Sequence, residues 1–264
     1  MAQRTSSFDS IVLRSRESSS GARIITLLSD EAGLVDAFVF GGPKSRLRSL
    51  ASPWHEGRAW IYRDSARDFV TLKDFDAIRE FPGIRANLDA ISAASLAGEF
   101  IMATSALGGD WMDAKTLFIN LAETLDVLSV GNPARLKGSV DRAVILFCVR
   151  AIQAMGLMPD TGECSACAGA IRPDAVQSYS RRHGGFMCTA CSTGVVYGVA
   201  RESGLILLPA GALAWLAATE GMEFGQAVKT GLGAEALAAL RASLFDLLRK
   251  SAESPLRTLE SGLL

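Results

Sequence analysis

Two Cys-x-x-Cys pairs constrain this chain more than any other feature: Cys164-Ser-Ala-Cys167 and, after twenty intervening residues, Cys188-Thr-Ala-Cys191. Each pair sets two thiolates on one tight turn, where they can take adjacent corners of a tetrahedron. Zinc in a structural role prefers four such ligands. Gly169 and Gly184-Gly185 supply backbone freedom close to those turns. The spacing therefore predicts a structural Zn2+ held by Cys164, Cys167, Cys188 and Cys191. Its binding free energy becomes folding free energy for an insertion that is too small to bury a core of its own.

Other cysteine and metal chemistries fit less well. A thioredoxin-like redox site uses a single C-x-x-C between a strand and a helix. A catalytic zinc keeps an open position beside an acid or base, and zinc deaminases need an H-x-E motif. The only histidines are His55 and His183, and neither begins that motif; Ala59 stands where a metalloprotease helix would place its second histidine. His183, beside Arg181 and Arg182, reads as a surface residue. There is no Walker-type G-x-x-x-x-G-K-[ST] and no strand-linked G-x-G-x-x-G. The sequence reads as that of a non-enzymatic protein. The fifth cysteine, Cys148, falls within an apolar stretch and reads as a core thiol.

Before the cysteines the chain changes texture once. Short apolar runs at Ser10–Leu13, Ala22–Leu28, Gly33–Phe40, Trp60–Tyr62 and Phe69–Leu72 are separated by turn residues such as Ser18-Ser19-Ser20-Gly21 and Gly41-Gly42-Pro43. About five strands in about 80 residues suit a small OB-type barrel. From Pro82 the period becomes helical: Leu88–Leu107, Asp113–Ser129, Val140–Met155, Ala210–Ala218 and Ala234–Ser251. The expected fold is α+β and multidomain. An OB-fold barrel occupies residues 1–80, and an all-α domain occupies 81–264 with a four-cysteine zinc finger inserted at about 160–200. Nothing in the first ten residues resembles a signal-peptide core, and no apolar run approaches membrane length, so the chain is expected to be soluble and cytoplasmic.

Net charge is −1, so a polyanion partner must be argued from local patches. One exists. From Gly41 to Arg67 there are six cations, Lys44, Arg46, Arg48, Arg58, Arg63 and Arg67, against Glu56 and Asp64, a local net of +4. Arg14, Arg16 and Arg23 flank the first turn and extend the patch. A phosphate-tracking groove has this character, and barrels of this kind combine it with aromatic stacking. Candidate stackers are Trp54, Trp60, Tyr62, Phe38, Phe40 and Phe69; Trp54, in a loop between Pro53 and His55, is the first choice.

These residues together resemble the bacterial DNA-repair family RecO. The resemblance rests on the opening SIVLRSRESSSGARIITLLSDEAGLVDAFVFGGPKSRLRS, on the helices after Pro82, and on MGLMPDTGECSACAG leading into the cysteine pairs. It spans nearly the whole chain. It implies an N-terminal OB-fold, a helical domain and an inserted zinc finger. It further implies binding of single- and double-stranded DNA, strand annealing, assistance to RecA on strands covered by single-strand-binding protein, RecR as a partner, and a nucleoid-associated cytoplasmic location. DNA contacts carried over are Lys44, Arg46 and Arg48, with Arg14 and Arg23. Family members often carry extra arginines before the Pro-Lys-Ser turn, where this chain has Phe40-Gly41-Gly42. The alternative is a protein-interaction scaffold of the same machinery, favoured by the near-neutral charge and the large apolar helical region.

Overall fold

Five strands between Thr5 and Arg79 close into a barrel. The computed structural model describes residues 5–18, 21–42, 44–64, 69–104, 114–130, 133–172, 174–193, 204–262 and 264; for 133–137 it describes the backbone alone. The strands are β1 (Thr5–Glu17), β2 (Arg23–Ser29), β3 (Gly33–Val39), β4 (Glu56–Asp64) and β5 (Phe69–Arg79), with a short helix α1 (Arg46–Leu50) between β3 and β4. Their order is β1-β2-β3-β5-β4, and β4 returns to β1. All pairings are antiparallel except β3 with β5, where Phe38 pairs with Thr71 in parallel. This is the OB arrangement.

β1 serves both neighbours because it bends. Residues 5–11 pair with β4 and residues 10–17 with β2, and a register shift at Val12/Arg14 turns the strand between them. Phe8, Val12, Ile25, Leu27, Val35, Val39, Ile61, Leu72 and Phe75 fill the interior, and Leu47 and Leu50 of α1 pack against it. Gly57 is required where β4 crosses β5. A Cβ there would lie 2.1 Å from the Asp76 carbonyl oxygen.

Contacts divide the chain into two compact units: Met1–Pro133 with Glu253–Leu264, and Ala134–Ala252. In the first, the barrel is followed by α2 (Pro82–Arg85), α3 (Leu88–Thr104) and α4 (Ala114–Leu128). The Asn87 side chain accepts from the Ala90 amide at 3.1 Å and so caps the start of α3. Ala90, Ala93, Ala94, Ala97, Phe100 and Ile101 of this alanine-rich helix are buried.

The second unit contains α5 (Pro133–Ala154), β6 (Gln177–Ser180), β7 (Gly185–Met187), α6 (Thr189–Thr193), β8 (Leu205–Leu208), α7 (Ala212–Thr219), α8 (Phe224–Ala227) and α9 (Ala234–Ser251); α10 (Arg257–Glu260) belongs to the first. Cys148 is fully buried in α5 among Val144, Ile145 and Phe147, as a core thiol should be. The helical region also holds a three-stranded antiparallel sheet, β7-β6-β8. Among the described residues, no helix is long and apolar enough to cross a membrane.

Candidate metal centre and nucleic-acid interface

The four paired cysteines converge. Their Sγ atoms all lie within 4.8 Å of one another, and Cys167 and Cys188 are 3.9 Å apart. With a zinc–sulfur bond of about 2.3 Å, tetrahedral sulfurs sit about 3.8 Å from each other, so one metal ion fits the set. The first pair is formed by a tight loop. Cys164 N donates to Gly169 O at 2.8 Å and Ala168 N to Cys164 O at 2.8 Å, with Ala168 in the left-handed region. Cys188 follows β7, and Cys191 lies on α6. Gly184, at φ +64°, makes the β6–β7 turn that brings the two pairs together.

The electrostatics favour a cation here. Burial pushes the Cys164 thiol up, but amide donors, first that of Cys188 (N to Sγ 3.3 Å), outweigh burial and bring it down to about 7. Cys191 goes the other way, raised by burial and then by hydrogen bonding to the other three sulfurs. Four adjacent thiols cannot all shed protons without a positive charge among them. Outside the sulfurs, Ser165 donates to the Phe186 carbonyl through both N (2.8 Å) and Oγ (2.9 Å). The Ser192 hydroxyl caps the Cys188 carbonyl at 2.8 Å. His183 is exposed, as expected for a surface residue.

The predicted phosphate contacts fall into different settings. Lys44 and Arg46 are exposed at the start of α1, and Arg14 is exposed on β1. None of the three has an ion pair among the described residues. Arg14 stands opposite Thr26 and Arg23 opposite Glu17. These positions differ by an odd number of residues, so cross-strand parity sends Arg14 to the outer face and Arg23 to the barrel mouth. There Arg23 donates to Ser15 Oγ and, at 2.9 Å, to the Arg48 carbonyl. Burial, then the charge of Arg48, lowers the Arg23 pKa, and Glu17 partly opposes them. Arg48 is half-buried, with its Nε buried and unpartnered among the described residues. Arg23 thus anchors α1 across the barrel mouth. Two other cations counted in the patch are neutralised: Arg58 pairs with Asp9 at 3.1 Å and Arg16 with Asp36 at 3.0 Å. Arg67 and Pro43 lie outside the described residues.

The aromatics also sort differently from the sequence expectation. Trp54, the first choice, adopts φ +69°, and its indole lies over α3; a methyl built on Gly98 would be 3.3 Å from it. It is a packing residue. Tyr62 is half-buried with the Lys73 ammonium 5.3 Å from its ring centre. Phe38 and Phe69 stack with centroids 4.5 Å apart and planes at 21°, and Phe40 lies 6.0 Å from Phe69. Two ion-pair groups have no counterpart in the sequence expectation. Arg79 joins Glu56 to Asp126, and Asp246 gathers Tyr179, Arg181 and Lys250. Arg79 with Glu56 and Asp126, and Tyr179 with Asp246, lie too far apart in sequence to leave a local signal, whereas Asp246 and Lys250 are an i,i+4 pair on one helix.

Two family models match in sequence order: Recombination protein O N terminal over residues 1–81, and Recombination protein O C terminal over residues 85–260. The chain is 31% identical over 231 residues to the DNA repair protein RecO of Anaeromyxobacter sp. (strain Fw109-5), covering 85% of this chain and 87% of that one. It is 30% identical over 210 residues to that of Myxococcus xanthus (strain DK1622), covering 77% and 81%. It is 29% identical over 185 residues to that of Pelotomaculum thermopropionicum, covering 69% and 67%.

Proposed function

This chain belongs to the RecO family of DNA repair proteins, and on that premise we propose that it is a non-enzymatic recombination mediator that binds single- and double-stranded DNA and anneals complementary strands. In this reading it also assists RecA on strands covered by single-strand-binding protein, with RecR as a partner. Residues 1–80 are the DNA-binding module. Residues 81–264 are the helical module, stapled at about 160–200 by structural Zn2+ on Cys164, Cys167, Cys188 and Cys191. The site of action is the nucleoid.

The observation that carries the DNA reading is the exposed, carboxylate-free pair Lys44 and Arg46 on a barrel of OB order. Counterion release from such cations would make binding fall with salt. Arg14 adds a third free charge on the outer face. Arg48 and Arg23 contribute through the loop they hold and the field they add. The test is fluorescence anisotropy of a labelled single strand across a salt series, with and without RecR. An unchanged salt slope after neutralising Lys44 and Arg46 removes the reading.

A second reading is a protein-interaction scaffold with weak or no direct DNA binding. The pairing of Arg16 with Asp36 and of Arg58 with Asp9 favours it, because it shrinks the positive field. Capture of RecR or single-strand-binding protein by a chain that shows no affinity for DNA would select it.

A further inference from the structure

The wall formed by β1, β4 and β5 has its outward side chains in register. Phe8, Ala59 and Phe75 make one row across the three strands and point into the core. Residues one step along each strand therefore point away from it. They form two rows, Ser7–Trp60–Asp74 and Asp9–Arg58–Asp76. Trp60 is half-buried, and Ile78, the next alternate position of β5 after Asp76, is 65% exposed. Trp and Arg are among the side chains that carry most of the binding energy where proteins meet.

The charges of this wall run opposite to those of α1. Arg58 is held by Asp9 at 3.1 Å and donates to Ser7 Oγ as well. The other cation, Lys73, lies over the Tyr62 ring. Asp74 and Asp76 are exposed and have no ion pair among the described residues; the one hydrogen bond of Asp74 comes from the Phe75 amide. Two free carboxylates thus stand beside Trp60 and Ile78. A phosphate chain approaching this side meets Asp74 and Asp76 and is repelled. A basic peptide is attracted. Alternate positions of a strand are about 6.6 Å apart, which is also the spacing of alternate side chains in an extended peptide. Cations at two successive alternate positions would meet Asp74 and Asp76, and an apolar side chain at the third would cover Ile78.

We propose that this outer wall is a docking face for an extended basic segment of a partner protein, with Lys or Arg at alternate positions followed by an apolar anchor. The inference goes beyond the DNA reading and does not need it. It gives the barrel two separate surfaces: free cations on α1 for a polyanion, and free carboxylates with apolar anchors on β4 and β5 for a polycation.

The experiment measures anisotropy of a short labelled peptide bearing lysine at alternate positions and then leucine, against the same peptide with glutamate for lysine, on the full chain. Wild type should bind the lysine peptide and not the glutamate one, with affinity falling as salt rises. Asp74→Asn with Asp76→Asn keeps the acceptor for the Phe75 amide and should weaken binding roughly three- to tenfold. Ile78→Ser alters an exposed side chain and should weaken it roughly fivefold at wild-type Tm, so it decides the matter if the double variant does not fold. Glu31→Gln with Glu223→Gln removes the same charge elsewhere and should change nothing. Equal binding of the two peptides overturns the proposal, as does lysine-peptide binding that survives both wall variants. Loss of affinity in the Glu31 and Glu223 variant equal to that in the Asp74 and Asp76 variant also overturns it, because the attraction would then be to net charge and not to this face. If neutralising Asp74 and Asp76 raises affinity for a single strand and leaves the peptide unaffected, the wall only fends off nucleic acid and the docking face is refuted with the DNA reading intact.

Discussion

Tyr179, in the central strand of the small sheet, donates its hydroxyl to the carboxylate of Asp246 on α9 at 2.8 Å. The same carboxylate takes Lys250 at 2.7 Å and lies 3.7 Å from the Arg181 guanidinium, while its own side chain is only 17% exposed. One acid thus holds a strand and a turn of the cysteine-bearing sheet to the long helix of the same unit. Burial, and then the hydrogen bond to Asp246, keeps the Tyr179 hydroxyl protonated far above the ordinary phenol range.

Asp246→Ala should therefore be costly. It leaves the buried Tyr179 hydroxyl without its acceptor, while the exposed Lys250 keeps the Arg181 carbonyl, a loss of about 2 kcal/mol. Tyr179→Phe removes one neutral donor and should cost about 1 kcal/mol. Urea denaturation of both variants measures this; equal losses would show that Asp246 acts through Tyr179 alone.

The metal site predicts one zinc per chain by elemental analysis after purification without chelator. Cys164→Ala or Cys188→Ala should abolish retention of the metal and expose the 160–200 region to protease. The barrel's circular dichroism should persist.

Acid should work in the same direction. In the metal-free chain the Cys164 thiol sits at about 7, below its ordinary 9.0, because amide donors favour the thiolate. A depressed pKa contributes stability that is complete above pH 9 and is lost as pH falls through 7. Protons and metal compete for the same sulfur, so zinc retention should also weaken as pH falls across this window. Retention that is flat from pH 9 to pH 6 would contradict the assignment.

Arg23 and Arg46 should separate stability from affinity. Arg46→Ala and Lys44→Ala should each reduce the single-strand salt slope by about 0.7 with little change in Tm. Arg23→Ala loses its bonds to Ser15 and to the Arg48 carbonyl and should cost about 1–2 kcal/mol of stability. Calorimetry paired with anisotropy distinguishes the two.

Arg79→Ala tests the clamp between β4, β5 and α4. Burial raises the Glu56 pKa and Arg79 opposes it, so removing Arg79 leaves a nearly buried charge uncompensated, at about 2 kcal/mol near neutral pH. A raised carboxyl pKa gives stability that is present at low pH and lost as pH rises through the folded-state value. The variant's deficit should accordingly shrink on acidification toward the carboxyl range, as followed by denaturation midpoints at two pH values.

The cysteine set is legible in the sequence because ligand spacing is local chemistry, and the helices because Leu and Ala recur on one face over many turns. β2 and β3 show as apolar runs, but β1 shows as four residues where thirteen are extended. Ser10 is buried in phase with Phe8 and Val12 while Arg14 and Arg16 are exposed, and the irregularity at Val12/Arg14 breaks the two-residue period. β6 and β7 are buried along their whole length. A strand of three or four residues with no solvent side carries no alternation to read. Trp54 reads differently for another reason: a loop position predicts exposure, and only the glycine at Gly98 in α3 reveals that the half-buried indole packs one edge there. The basic turn is visible in the sequence as charge. Which of its arginines are tied down depends on carbonyls and carboxylates contributed by other strands.

The barrel is closed along β3 and β5 by a single registered pair, Phe38 with Thr71. Every other seam runs for at least seven pairs, so amide protons beside this one should exchange with solvent soonest. The Phe38–Phe69 ring contact spans that weak join like a rivet set from outside. Anything that settles over the two rings would hold the wall shut, and the cylinder would be stiffest when it is occupied.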